Sequence, residues 1–114
     1  MLIFYTDKFI PKDAAGCTRG PVIFIRPKYK DDKGLLEHEN IHRWQWVFTL
    51  GFHSFLYLLY KPYRLWSEVQ AYKMQLRYPP ANGSDSYKLK YANYISKNYG
   101  LNVTSNEAYS LLYN

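Results

Sequence analysis

The sequence predicts a small α+β domain, with a small N-terminal β-sheet packed on a bundle of helices built from the rest of the chain. Three observations carry this expectation. Short runs rich in β-branched and aromatic residues lie ahead of Pro27, apolar residues recur at three- and four-residue spacing after it, and 114 residues at 47% hydrophobic supply one core. Residues 1–114 therefore read as a single domain, with no internal repeat and no linker long enough to divide it.

Residues 2–6 and 22–26 read as strands, bounded by Asp7-Lys8 on one side and by Gly20-Pro21 and Pro27 on the other. The two pair in one sheet. Residues 11–20 carry two glycines, a proline and little periodicity, and read as a loop. Asp31 or Asp32 then caps a central helix whose apolar residues Leu35, Leu36, Ile41, Trp44, Val47 and Phe48 keep helical spacing until Gly51. A second helical stretch covers residues 52–60. Pro62 suits the first turn of a third helix, residues 63–78, which Pro79-Pro80 stops. Asn82-Gly83 is a turn, after which Ser84 caps a fourth helix that closes at Gly100. Thr104 with Glu107 forms a capping-box pattern opening a last helix to Tyr113. The tryptophans Trp44, Trp46 and Trp66 are expected to pack in the core.

Composition excludes several classes. A single cysteine, Cys17, forbids an intramolecular disulfide and any Cys-rich zinc ribbon, and reads as a small buried or loop thiol. The most apolar stretch, residues 47–60, is interrupted by Gly51, His53 and Ser54 and is short of the roughly 20 residues of a bilayer span. With no export signal in the first residues, the expected location is cytoplasmic. The formal charge of +6 favours acidic partners only generically. Nucleic acid is not the expected partner: Tyr87, Tyr91, Tyr94 and Ile95 share one helix face, with Lys88 and Lys97 off it, as in a helix packing an aromatic stripe on a core.

The chemistry concentrates in His38-Glu39-Asn40-Ile41-His42. On a helix, residues four apart share a face, so both imidazoles can meet one ion while Glu39 flanks it. In a chain with three histidines such a match arises by chance only on the order of a few times in a thousand. Glu68, in Trp66-Ser67-Glu68-Val69-Gln70-Ala71, lies on a separate helix and is the candidate third ligand. A two-His, one-carboxylate set leaves a fourth tetrahedral position open, as in catalytic zinc sites. Ala71, one turn on, is small enough to let the two helices approach.

These residues resemble the zincin metallopeptidases, and within them the gluzincins, at the length of the minimal single-domain minigluzincins. The resemblance covers residues 22–72, under half the chain. It implies a zincin-like fold, Zn²⁺ held by His38, His42 and Glu68, and Glu39 as general base and acid in hydrolysis of a peptide or protein substrate. Gln45, with Glu37 and Asn40, is within reach to orient a ligand imidazole. No motif marks the group that steadies the transition state. His53, Tyr57, Tyr60, Tyr63 and Tyr72 are the candidates, and His53 reads as a half-buried structural or rim residue. A strand bordering the cleft, residues 22–26 or 2–6, is expected to bind an extended peptide.

The rival expectation is a zinc-stapled structural or assembly protein without catalysis, of the compact kind a phage encodes and a virion carries. Thirteen tyrosines suit an assembly surface and a protein partner. A related expectation is autoinhibition, with residues 101–114 lying in the cleft. The sequence carries no sign of oligomeric state.

Overall fold

The computed structural model describes residues 2–113 and is a small α+β domain. Strands β1 (Leu2–Tyr5), β2 (Gly16–Arg19) and β3 (Val22–Ile25) form a three-stranded sheet in the order β1-β3-β2. β1 runs parallel to β3, with Ile3 opposite Ile23, and β2 runs antiparallel to it, with Thr18 opposite Ile23. β3 alternates half-buried and buried residues, the period of a strand with one face on a core, and Ile23 and Ile25 point inward.

The strand β2 lies inside the span expected to be a loop. Its residues lack the alternation of a strand and are held extended by the ladder to β3. The segment that precedes it is stapled by Arg26. The guanidinium donates to the carbonyls of Ala14 at 2.7 Å and Pro11 at 2.9 Å and pairs with the Asp7 carboxylate at 3.2 Å.

After a short 3-10 turn at Pro27–Tyr29 come five helices: α1 (Lys33–Phe48), α2 (His53–Leu59), α3 (Lys61–Gln75), α4 (Asp85–Asn98) and α5 (Ser105–Tyr113). The expected caps form. Asp32 accepts from the Leu35 amide at 3.0 Å, Ser84 from that of Tyr87 at 3.3 Å, and Thr104 and Glu107 bond each other's amides reciprocally. Gly51, at φ +88°, turns the chain out of α1 and lies against the Trp46 indole.

Two apolar clusters form. Val69, Tyr72, Tyr91, Ala92, Ile95, Leu101, Ala108 and Leu112 join α3, α4 and α5, while Ile23, Ile25 and Leu35 join the sheet to α1. Tyr91 and Ile95 are buried and Tyr87 and Tyr94 half-buried, as the aromatic stripe implied. The apolar row of α1 is not where its spacing placed it: Trp44, Val47 and Phe48 are exposed, as is Trp66, and Trp46 is half-buried. The buried face of α1 is instead Gly34, Leu35, His38, Glu39, His42 and Gln45. At Gly34 a β-carbon would press on Gln75 at 3.2–3.3 Å, so its absence lets α1 and α3 close together. No described helix is long and apolar enough to cross a membrane.

Candidate metal centre

Between the two apolar clusters lies a layer of buried polar side chains: His38, Glu39, His42 and Gln45 from α1, and Ser67 and Glu68 from α3. Burying such groups is costly unless each finds a partner, so their common burial marks a shared purpose. The helical period stacks His38 and His42 on one face, ring centroids 5.1 Å apart. Ala71, fully buried, lets α3 bring Glu68 across to them.

Glu68 Oε1 lies 3.5 Å from His38 Nε2 and 3.4 Å from His42 Nε2. Ligands about 2.05 Å from a tetrahedral zinc stand about 3.3 Å from one another, so these spacings fit a common ion. Glu68 is 3% exposed, and among the described residues Oε1 has no hydrogen-bond partner. A buried carboxylate oxygen without a hydrogen bond is an expensive arrangement, and positive charge among the three atoms, a proton on His42 or a metal ion, relieves it. The donors fit: imidazole nitrogen and carboxylate oxygen are borderline and hard ligands suited to zinc and its neighbours in the transition series. His38, His42 and Glu68 form a buried group that could hold a metal ion.

The surrounding bonds aim the ligands. His42 Nδ1 lies 3.0 Å from Gln45 Oε1 and 3.1 Å from Ser67 Oγ, and Ser67 donates to the same Gln45 oxygen at 2.6 Å. Gln45 Nε2 in turn donates to the Ser67 carbonyl at 3.3 Å. With Nδ1 so engaged, the Nε2 lone pair of His42 is left for the ion. The Tyr57 hydroxyl donates to Glu68 Oε2, which fixes the carboxylate and presents Oε1. His38 Nδ1 is buried without a hydrogen-bond partner among the described residues, and its ring is set by edge-on packing against Tyr72 at 4.4 Å. The Tyr72 hydroxyl is spent on Tyr99, 2.7 Å away. Gln45→Leu and Ser67→Ala, which each remove a group beside His42 Nδ1, are expected to weaken metal affinity about ten- to hundredfold without changing stoichiometry at saturation. Titration of the metal-free protein against a fluorescent chelator reads both.

Electrostatics tie the ligands together before any ion arrives. Burial alone would strip His42 of its proton, but the Glu68 carboxylate outweighs it and raises the pKa to about 9. Burial likewise opposes charge on Glu68, and the two imidazoles overcome it, holding the carboxyl well below its usual range. His53 is pushed the other way, to about 4, by burial and by the charge on His42.

Glu39 lines the same cleft, where its Oε1 lies 2.8 Å from the Thr18 hydroxyl of β2. The cleft has a volume of about 490 Å³; one wall is Gly16 to Arg19 of β2, and Ser54, Tyr57 and Leu58 of α2 form another. β3 takes a strand on both sides, and β1 is the far edge of the sheet. The strand bordering the cleft is thus β2, not either of the two strands expected there. Cys17 sits in this wall, its thiol donating to the Phe9 carbonyl at 3.2 Å. His53 lines the cleft too, half-buried, with Nδ1 2.8 Å from the Tyr63 hydroxyl. Tyr60 is exposed, and Glu37 and Asn40 bond each other away from the ligands. α5 packs on α4 and α3, and residues 101–113 do not line the cleft; Asn114, the end of the segment considered as a plug, lies outside the described residues. Ser67, Thr18 and Tyr99 escaped sequence reasoning because each joins the site only through the tertiary fold.

Comparison with protein-family models, with curated proteins and with solved structures finds no match to this chain in any of the three.

Proposed function

We propose that the protein is a zinc-dependent metallopeptidase. The observation that carries this reading is the convergence of His38 Nε2, His42 Nε2 and the unbonded Glu68 Oε1 inside a cleft that also holds Glu39. His38, His42 and Glu68 would hold a zinc ion, which would supply a Lewis acid that lowers the pKa of a water from 15.7 towards about 7. Glu39, steadied by Thr18, would accept a proton from that water as its oxygen adds to the peptide carbonyl carbon, and would deliver it to the amine released when the C–N bond breaks. The outer edge of β2 offers backbone donors and acceptors to an extended peptide, which seats the scissile bond beside Glu39. When Tyr63 donates to Nδ1 of His53, that imidazole carries its proton on Nε2 and is a neutral donor for developing negative charge.

Elemental analysis of protein purified without added zinc, followed by a peptide-digestion screen, tests the reading. One equivalent of zinc and cleavage of extended peptides are expected; a metal-free protein that binds no added zinc overturns it. A second reading rests on the position of the site between the two apolar clusters, where an ion would tie the sheet and α1 to α3 without turning over any substrate.

The charges at the site give a pH prediction. Glu68, whose folded pKa lies below its ordinary 4.5, stabilises the metal-free fold above that value, and the contribution is lost as pH falls. His42, raised from 6.5 to about 9, stabilises it below 6.5, and that contribution is lost as pH rises through 9. His53, lowered from 6.5 to about 4, disfavours the fold below 6.5, so the metal-free protein is expected to melt highest near pH 6.5. Zinc must displace the His42 proton, so its affinity is expected to rise with pH up to about 9. Calorimetric titration in buffers of different ionisation heat, which counts released protons, checks the second statement.

A further inference from the structure

We propose that the apolar surface made by the end of α1, the turn after it and α2 docks on an anionic lipid bilayer. None of the seven residues of α2 is buried. Phe55, Leu58 and Leu59 stand at helical spacing on one exposed face, and Phe48, Leu50 and Phe52 continue the surface through the turn. Phe48 is 81% exposed, Leu50 87% and Leu59 79%. These six large apolar side chains exposed within residues 48–59 mark an interaction site, whereas single exposed leucines do not. Leu50 is also held at φ 55°, a backbone region unfavourable to leucine, while remaining largely exposed.

Charge decides the partner. Residues 40–67 contain no aspartate or glutamate, and the cations next to the apolar positions in the chain include Arg43 and the exposed Lys61, while Arg64 is spent on the carbonyls of Tyr57, Leu58 and Tyr99. The chain as a whole carries +6. Trp44 and Trp66, each about half exposed, and Tyr60 add the amphipathic aromatic side chains that sit at the headgroup level of a bilayer. A second copy on the same surface would bring two sets of cations together with no carboxylate between them. An anionic bilayer satisfies both the apolar surface and its positive border. Because Ser54, Tyr57 and Leu58 of α2 also line the cleft, docking brings the cleft to the bilayer surface. The proposal stands whether or not the cleft hydrolyses peptides.

The test is co-sedimentation of the intact, zinc-supplemented protein with phosphatidylcholine vesicles that contain or lack phosphatidylglycerol. Binding to the anionic vesicles is expected, weakened by salt, and at least about tenfold weaker binding to vesicles that lack phosphatidylglycerol. Phe55→Asp with Leu59→Asp, at exposed positions, is expected to lower binding at least about tenfold, and Lys61→Glu to lower it several-fold. Tryptophan quenching by brominated lipid in the unaltered protein needs no variant to fold, and quenching on anionic vesicles supports the proposal. No co-sedimentation and no quenching overturns it. A dimer that the Phe55/Leu59 variant abolishes, without vesicle binding, also overturns it and assigns the surface to self-association.

Discussion

Replacing His42 by alanine is expected to abolish metal retention, and with it the increase in melting temperature that zinc gives the unaltered protein. Two of the three ligand spacings run through Glu68 Oε1, and the remaining pair, His38 and Glu68, cannot fill a structural or a catalytic zinc site. At a free ion concentration a hundredfold above the dissociation constant, the ion adds about 2.7 kcal/mol to the folded state. For a chain of this size that is an upward shift of roughly 10 °C. The shift is expected to vanish in the variant, read by thermal melts with zinc and with a chelator. The variant also leaves Glu68 charged, buried and without His42, a situation that costs about 3–5 kcal/mol when one partner of a buried pair is removed. Its melting point in chelator should therefore fall as well. Glu68→Gln separates the two effects. It removes the charge, so the metal-free fold should suffer less than in His42→Ala, while the zinc shift still disappears. Full zinc stoichiometry in His42→Ala would exclude the three-ligand centre.

How far the sequence foretells this arrangement depends on how local each feature is. The caps at Asp32, Ser84 and Thr104 with Glu107 are legible because donor and acceptor lie three residues apart on one chain segment. The histidine pair is legible for the same reason, since a four-residue spacing fixes a shared face as soon as the segment is helical. The core face of α1 is misread, because apolar spacing at Trp44, Val47 and Phe48 outweighs polar spacing at His38, His42 and Gln45 in any hydrophobic count. What buries the polar face is mutual bonding among Gln45, Ser67 and His42 and the charge of Glu68, none of which periodicity reports. β2 is hidden because Gly16, Cys17 and Arg19 have little strand preference of their own, and the ladder to β3 supplies it. The bond from Tyr57 to Glu68 spans two helices and depends on the turn between them.

Glu39→Gln is expected to keep one equivalent of zinc and lose peptide hydrolysis by about 10²- to 10⁴-fold, the contribution of a positioned general base. The amide matches the carboxylate in shape, and its oxygen can still accept from the Thr18 hydroxyl, so the side chain stays where it is. The three ligand atoms belong to other residues, so metal affinity should change far less than activity. The loss should appear in kcat more than in KM, because a proton acceptor acts in the transition state and not in holding the peptide along β2. An unaltered rate in the variant would remove Glu39 from the chemistry. The same experiment divides the two readings of the site. If the unaltered protein holds zinc and gains stability from it, yet cleaves nothing in a broad peptide screen, Glu39→Gln has no activity to lose. The ion is then a staple between the sheet and the helices, and Glu39 is a buried partner of Thr18 whose replacement alters only the melting temperature.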